Sequence, residues 1–283
     1  MTAAGPSAGL QVRFWGVRGS IPAPGPDTAR YGGNTPCVEI VTPALRESAA
    51  ALVLDAGSGL RALGLDLLAR PVPPKLIHLV FSHLHWDHLQ GLPFFAPLFL
   101  ADATVMLHSM RPPSQLEQAL AVQMSAPYYP LPLDATGATR RCAAIPPAGL
   151  TIADVTISAF PLRHPQGCSG FRLESGGRVV VYATDFEYGD AACDGVLAAR
   201  AAAADVLVCD AQYTDDEEAA HRGWGHSTWR QATTVAREAG VGRLVLFHHD
   251  PLRTDAALDA IVTAARERFP HTDSAREGEC ITL

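Results

Sequence analysis

The chain has 283 residues, of which 48% are hydrophobic and 18% are charged, so it is long enough and apolar enough to bury a sizeable core. Its formal net charge of -7, without a basic stripe, argues against a protein that grips long nucleic acid. No apolar run approaches the roughly 20 residues that a membrane-spanning helix needs, so we expect no membrane segment.

The N-terminal segment and the cysteines bear on the cellular compartment. Residues 1–11 lack a basic start followed by an apolar stretch, so a secretory signal is not expected. The cysteines form no CxxC pair, which suits a reducing compartment and argues against a zinc ribbon or a disulfide framework. We therefore expect a cytoplasmic protein in which most of the cysteines serve packing. The six are Cys37, Cys142, Cys168, Cys193, Cys209 and Cys280.

Short apolar runs predict buried strands with ionisable residues at or just beyond their ends. The runs are residues 51–54, 76–81, 179–182, 206–209 and 244–247, and the ionisable residues are Asp55, His83, Asp185, Asp210 and His248. Sheets in α/β proteins usually assemble their sites at the carboxyl ends of the strands. A polar strand end that merely meets water explains any one of these residues, but it explains five less well.

The middle of the chain, around residues 106–147, is rich in proline and contains the pair Tyr128-Tyr129. It predicts an inserted lid, and a packed surface excursion without a function is the alternative. Further on, Ser227 or Thr228 can cap a helix that stops at Gly240. Asp255 can cap a second helix that runs to Phe269, which completes an alternation of strands and helices.

The run His83-x-His85-x-Asp87-His88 carries the chemistry. It places four potential metal ligands in six residues directly after a predicted strand, which suits two adjacent metal ions better than packing. Imidazole and carboxylate are natural ligands of zinc, and manganese or iron would also accept them. Other strand ends offer the ligands that a dinuclear centre still needs, namely His164, Asp185 and His248.

This order of ligands resembles the metallo-β-lactamase superfamily. The segment Gly225-His226-Ser227-Thr228, followed by residues 244–248, is similar to its ribonuclease Z and cyclic phosphodiesterase branch. The resemblance spans nearly the whole chain and implies a single α/β domain over residues 1–283, folded as an αββα four-layer sandwich. It also allows a homodimer.

The resemblance implies a role for each candidate site residue. One metal ion would be held by His83, His85 and His164, the other by Asp87, His88 and His248, with Asp185 as the bridge between them. A hydroxide between the metals would be the nucleophile. His226 would donate a proton to the leaving oxygen and Asp210 would orient it, so that these two residues and Asp87 form the catalytic set. Simple capping roles are the alternatives for His226 and Asp210.

Several residues near this set have open assignments. His248 and His249 are adjacent, and we expect His248 to face the metals while His249 contacts Asp250. The resemblance implies that Asp55 is a structural or supporting residue near the ligand turn. Arg18 and Arg30 flank the proline-rich loop 21–26, and each is interpreted as a solvated surface arginine, with a phosphate contact as the alternative.

The spacing of the ligands also limits the substrate. Ribonuclease Z proper carries a long tRNA-binding arm between the equivalents of His164 and Asp185, but here these residues are only 21 positions apart. The resemblance therefore predicts a metal-dependent hydrolase of a small phosphodiester, such as a cyclic nucleotide, a cyclic ribose phosphate or a short dinucleotide. A lactone or ester hydrolase and a metal-binding protein without turnover are the alternatives.

Overall fold

The computed structural model describes residues 9–283, so the prediction about a secretory signal falls mostly outside the described residues. In chain order the strands are β1 (Gln11–Gly16), β2 (Cys37–Val41), β3 (Ala50–Leu54), β4 (Leu76–Val80), β5 (Thr104–Ser109), β6 (Thr139–Ala144), β7 (Leu150–Ile152), β8 (Val155–Leu162), β9 (Cys168–Ser175), β10 (Arg178–Ala183), β11 (Val206–Asp210), β12 (Arg243–Phe247), β13 (Thr272–Ser274) and β14 (Cys280–Thr282). The five predicted strands are β3, β4, β10, β11 and β12, each within one residue of its predicted bounds.

The strands form two seven-stranded sheets. The first has the order β14-β1-β2-β3-β4-β5-β6, and the second has the order β13-β12-β11-β10-β9-β8-β7. Strands β3 to β6 are parallel to one another, as are β10 to β13. Because parallel strands end at the same edge of a sheet, the residues that follow β3, β4, β10, β11 and β12 can meet at one edge of the sandwich.

The described residues also form α-helices, most of which pack on the outer faces of the sheets. They are α1 (Pro43–Glu47), α2 (Leu60–Ala69), α3 (Pro113–Gln123), α4 (Ala191–Ala201), α5 (Asp215–Glu218), α6 (Trp229–Ala239) and α7 (Asp255–Arg268). Side chains such as Phe14 and Phe247 fill the space between the sheets. Helices α2 and α3 pack on the first sheet, and α4, α6 and α7 pack on the second. This is the predicted αββα four-layer sandwich, which is confirmed.

The sequence predicted the cap of α6 correctly but misplaced the cap of α7. Thr228 caps α6 by accepting from Gln231 N, and the helix stops at Gly240, which has a left-handed backbone as predicted. The predicted cap of α7 was wrong: Thr254, not Asp255, accepts from Ala257 N. The Asp255 carboxylate instead accepts the backbone N–H groups of Arg30 and Tyr31, because it faces the N-terminal loop.

The two ends of the segment 106–147 belong to the first sheet, as parts of β5 and β6. The segment contains α3, whose Leu116 and Leu120 are buried, and β6, which pairs in parallel with β5. The Tyr129 hydroxyl donates to Pro93 O at 2.8 Å, and the Arg111 guanidinium donates to Gln166 O. These contacts place the segment beside the strand ends, and its role as a lid stays a prediction.

Two further features concern the chain as a whole. Among residues 9–283, no helix has both the length and the apolar character required to cross a membrane. All six cysteines are free thiols, of which Cys37, Cys168 and Cys209 are buried. Cys280 is exposed, so the packing role expected for most of the cysteines does not extend to it.

Candidate metal centre

Three strand ends turn their side chains towards one point by an unusual backbone conformation. Asp55 after β3, Asp185 after β10 and His248 after β12 have φ angles of 59°, 51° and 59°. A residue with a side chain pays about 1–3 kcal/mol for such a left-handed conformation, so it persists where the surrounding structure enforces it. The fourth contribution comes after β4, where the short 3-10 helix Trp86–His88 carries two of the candidate ligands.

The seven predicted ligands come together in two adjacent groups. His83, His85 and His164 form one group, and Asp87, His88, Asp185 and His248 form the other; within each group the ligand atoms all lie within 4.8 Å of one another. The two groups are the sets that the family resemblance implied, with the aspartate expected to bridge them in the second. Residues from both sheets contribute, so the centre depends on the complete sandwich.

The Asp185 carboxylate lies between the two groups. Its Oδ2 is 3.6 Å from His83 Nε2 and 3.8 Å from His164 Nε2. Its Oδ1 is 3.3 Å from the Nε2 atoms of both His88 and His248. Each carboxylate oxygen therefore faces one group, which is the arrangement that a carboxylate bridging two metal ions requires.

Each of the five histidines has one ring nitrogen fixed from outside the centre and the other nitrogen directed into it. The outer contacts are His83 Nδ1 to Ser82 Oγ at 3.1 Å, His85 Nε2 to Gln166 Oε1 at 2.8 Å, His88 Nδ1 to Asp55 Oδ2 at 2.9 Å, His164 Nδ1 to Gly225 O at 2.8 Å and His248 Nδ1 to Gln212 Oε1 at 2.9 Å. An outer acceptor fixes the N–H on the outer nitrogen, so the inner nitrogen offers its lone pair. This is how protein sites orient histidines towards a metal ion.

His83 Nε2 tests whether the centre suits a metal ion. This atom is buried and has no hydrogen-bond partner among the described residues, although buried polar atoms normally have one. It points towards Asp185 in the middle of the cluster. A metal ion would satisfy this atom, and the nitrogen and carboxylate donors around it match the preferences of zinc. The residues present therefore fit two divalent metal ions.

Burial and neighbouring charges shift the pKa values in the centre. Burial lowers the pKa of His83 well below its usual value and also lowers that of His164, which keeps these imidazoles neutral. Burial alone would raise the pKa of Asp185, but the surrounding histidines, His248 first, hold it well below its usual value. Burial opposes protonation of His88, yet the carboxylates of Asp185, Asp87 and Asp55 raise its pKa. Metal binding would displace the extra proton that His88 carries because of this raised pKa.

Asp55 supports the ligand turn, as the sequence suggested. It is fully buried, and its carboxylate accepts from Ser82 N at 2.8 Å and from the Tyr182 hydroxyl at 2.8 Å, besides holding His88. Three elements are thus tied to one carboxylate: the end of β3, the start of the ligand turn, and β10 of the opposite sheet.

His226 and Asp210 form the pair that the sequence predicted. Asp210 Oδ2 is 2.8 Å from His226 Nδ1, while its Oδ1 accepts the backbone N–H groups of Gln212 and Ser227. Burial opposes protonation of His226, but Asp210 outweighs it and raises the pKa to about 9. The ring stacks on His248 at a centroid distance of 4.9 Å. His226 therefore adjoins the candidate metal ligands, with its Nδ1 fixed and its Nε2 without a hydrogen-bond partner among residues 9–283.

The structure separates His248 from His249. His248 Nε2 lies 3.2 Å from Asp87 Oδ2, whereas His249 Nε2 lies 3.0 Å from Ala275 O and points away from the ligands. The predicted contact between His249 and Asp250 was wrong, since the ring bonds β13 residue Ser274 and its neighbour instead. Burial lowers the pKa of His249 to about 3, so it is a neutral core residue.

The interpretation of Arg18 as a surface residue was also wrong. Arg18 is fully buried and donates to the carbonyl oxygens of Gly32, Asp250 and Arg253, so it ties the N-terminal loop to the chain that follows His248. It is not available to a phosphate. Arg30 is exposed as expected, and its guanidinium pairs with Asp259 at 2.6 Å.

Two cavities flank the centre. One, of about 310 Å³, has His226 in its wall together with Arg163, Glu187 and Tyr188. The other, of about 210 Å³, is lined by residues that include His83 and Arg111. One cavity therefore reaches His226, and the other reaches a candidate ligand of the first group.

Sequence reasoning missed the outer acceptors Ser82, Gln166, Gln212 and the Gly225 carbonyl. Gln166 and Gln212 each lie two residues from a recognised position, His164 and Asp210, which is the one local signal that could have indicated them. In the sequence, Gly225 stands out only as the first residue of the segment Gly225-His226-Ser227-Thr228. A Cβ atom there would lie 2.2 Å from His164 Nδ1, and the φ angle is +90°, so the position requires glycine.

Comparison with known proteins agrees with this geometry. The family model for the beta-lactamase superfamily domain matches residues 51–249, which include all seven predicted ligands. Ribonuclease BN of Escherichia coli K12 is 28% identical over 255 residues, which cover 72% of this chain and 81% of that protein. The metallo-β-lactamase fold protein YhfI from Bacillus subtilis has a TM-score of 0.73 at 20% identity, covering 98% of this chain and 100% of that chain. A diphosphatase from the PhnP family has a TM-score of 0.69 at 17% identity, covering 97% and 98%. The chain belongs to the metallo-β-lactamase superfamily and is a metal-dependent hydrolase.

Proposed function

We propose that this hydrolase cleaves a small phosphodiester with two divalent metal ions, zinc being the metal that its donor set favours. The observation that carries the proposal is the division of the Asp185 carboxylate, with one oxygen facing each group of histidines. When bound, two such cations would lower the pKa of a shared water molecule and stabilise the charge that develops at phosphorus. The outer hydrogen bonds of the five histidines hold the inner ring nitrogens in position for these ions before any ion binds.

His226 supplies the step that a phosphodiester needs and a more reactive ester does not. The alkoxide that leaves a phosphodiester is strongly basic, so a positioned acid typically speeds its departure by 10²–10⁴-fold. Asp210 accepts the Nδ1–H of His226 at 2.8 Å and keeps the ring protonated at neutral pH. The proton on Nε2 is then free to pass to a leaving oxygen in the cavity that His226 lines.

The proposed substrate is small because the chain between His164 and Asp185 has no room for an arm. It contains β9 and β10, which are joined by a tight turn at Gly176 and Gly177. The net charge of -7 adds no attraction for a long polyanion. We therefore propose a cyclic nucleotide, a cyclic ribose phosphate or a short dinucleotide as the substrate, processed in the cytoplasm, where the free cysteines would stay reduced.

Metal analysis combined with a substrate panel tests this function. The panel contains bis(p-nitrophenyl) phosphate, 2′,3′- and 3′,5′-cyclic nucleotides, linear dinucleotides and a simple lactone. Two metals per chain and selective cleavage of one phosphodiester class would support the proposal. Two metals with cleavage of the lactone alone would make the protein a lactone hydrolase, and metal binding without any turnover would leave a binding protein.

The variant His226→Ala tests the proton donor. We expect it to keep its metals and to lose about 10²–10⁴-fold in turnover of a diester with a poor leaving group, with a much smaller loss on bis(p-nitrophenyl) phosphate. His271→Ala, which changes an exposed histidine before β13, is the control. Equal losses on both substrates would contradict the role of His226 as the acid.

A further inference from the structure

Two backbone N–H groups in the loop just before His226 donate to one carboxylate, that of Glu187. Glu187 Oε2 accepts the backbone N–H groups of Gly223 at 2.8 Å and Gly225 at 3.0 Å. Its other oxygen lies 3.3 Å from an Arg163 guanidinium nitrogen, and the side chain is only 12% exposed. Glu187 also follows Asp185 by two residues, and its own N–H donates to Arg163 O at 2.8 Å. Arg163 therefore contacts both the side chain and the backbone of Glu187, which fixes the carboxylate independently of the loop.

Gly225 connects Glu187 to two histidines of the centre, His164 and His226. Its carbonyl oxygen accepts the Nδ1–H of His164 at 2.8 Å, so it sets the plane in which His164 Nε2 faces Asp185. The next residue in the chain is His226, whose ring lies 5.2 Å from that of His164. A shift of the Gly225 peptide would thus move a metal ligand and the proton donor together.

We propose that Glu187 is a positioning residue that couples the metal ligand His164 to the proton donor His226 through the backbone of Gly225. The coupling to His226 rests on the proposed function, because the position of His226 affects the rate only if His226 protonates a leaving group. Glu187 touches neither a ligand nor the reacting atoms itself. It acts by fixing one segment of backbone on which both histidines depend, and a displacement of about 1 Å at such a point can cost about a hundredfold in rate.

The alternative is that Glu187 merely stabilises the loop, and Asp190 provides the matched control. Asp190 also accepts two backbone N–H groups with its carboxylate, those of Ala192 and Cys193 at the start of α4. It lies three residues from Glu187 in sequence, but the backbone it holds carries no candidate ligand or catalytic residue. Loss of either carboxylate removes two hydrogen bonds to backbone N–H groups, and Glu187→Ala also removes the contact with Arg163. Glu187→Ala can therefore melt lower for structural reasons alone, so the state of the centre, not the melting temperature, distinguishes the two roles.

The experiment compares Glu187→Ala, Glu187→Gln and Asp190→Ala in the full-length protein loaded with cobalt(II). The visible spectrum of the bound cobalt reports on the ligands of the centre, His164 among them, and thermal melting reports on stability. Turnover of a dinucleotide relative to bis(p-nitrophenyl) phosphate reports on His226. We expect Glu187→Ala to change the spectrum and to lower the turnover ratio by about a hundredfold. Glu187→Gln should restore much of both, because its amide oxygen can still accept the two N–H groups.

Each outcome decides the inference. If Glu187→Ala and Asp190→Ala both melt at lower temperature while spectrum and turnover ratio stay those of the wild type, Glu187 has no positioning role. If the wild type cleaves no phosphodiester, the proposed function fails, and the cobalt spectrum alone then decides whether Glu187 orients His164. An altered spectrum with an unchanged turnover ratio would overturn the coupling to His226.

Discussion

Gly225 offers the sharpest test of how this centre is held, because a second glycine in the same loop separates backbone strain from steric contact. Gly223 and Gly225 have φ angles of +85° and +90°, and both N–H groups bind Glu187. A Cβ atom at Gly223 would meet nothing within 4 Å, whereas one at Gly225 would lie 2.2 Å from His164 Nδ1. The two alanine variants therefore share the backbone penalty and differ in the clash.

The magnitudes follow from this difference. Each alanine pays about 1–2 kcal/mol for the left-handed conformation, and for a chain of this size that lowers the melting temperature by a few degrees. Gly225→Ala must in addition displace the His164 ring from its carbonyl acceptor. Loss of such an outer contact typically weakens metal affinity by about 10–100-fold. We therefore expect metal-free Gly225→Ala to melt below metal-free Gly223→Ala, because its Cβ must also push aside His164 and Pro165, and we expect a large difference in metal retention.

The assay is metal content after dialysis against a graded series of chelator concentrations, with melting of the metal-free proteins measured in parallel. Gly223→Ala should release its metals at the same chelator concentration as the wild type, and Gly225→Ala at a concentration about 10–100-fold lower. If the two variants release metal together, the Gly225 carbonyl does not orient His164, and the outer contact has no part in metal binding.

Two further predictions concern the candidate ligand Asp87 and His108, a histidine outside the ligand set. Asp87→Ala should bind fewer than two metals, because Asp87 Oδ2 lies 3.2 Å from His248 Nε2 in the second group; full occupancy by two metals would remove Asp87 from the ligand set. Burial lowers the pKa of His108 from 6.5 to about 4, so the unfolded chain binds the extra proton between these values. The stabilisation is complete above pH 6.5 and should fall by about 3 kcal/mol as the pH drops to 4. Chemical denaturation of metal-free protein at pH 7, 5.5 and 4.5 measures this loss, and His108→Gln should lose less; an equal loss would contradict the assignment.

The local features of this protein could be read from its sequence because they depend on neighbours in the chain. The buried strands are short runs without alternation, and both faces of β12 are indeed covered, since Val245 faces the other sheet and Leu244 faces the helices. The spacing of His83, His85, Asp87 and His88 after β4 likewise requires only a tight turn. The fold class and the division of the ligands into two groups came instead from the resemblance to the metallo-β-lactamase superfamily, because His164, Asp185 and His248 lie far from His83 in the chain.

Contacts between distant segments lay beyond the sequence. Arg18 is buried because it donates to three carbonyl oxygens from two other loops. No residue near Arg18 in the chain indicates these contacts. His249 was paired with its neighbour Asp250, but the strand end turns at His248 and presents His249 to β13 instead. The cap of α7 was misplaced by one residue because Asp255 is drawn to the N-terminal loop.

The sequence by itself determined which residues can bind metal and in what order they arrive at the strand ends. Only the tertiary structure decided which nitrogen of each histidine faces the centre, because that choice depends on acceptors such as Gln166, Gln212 and the Gly225 carbonyl. It also decided that one carboxylate, Asp185, divides its two oxygens between the groups. Ligand types are a property of the chain, whereas ligand directions depend on the two sheets packing together at one edge.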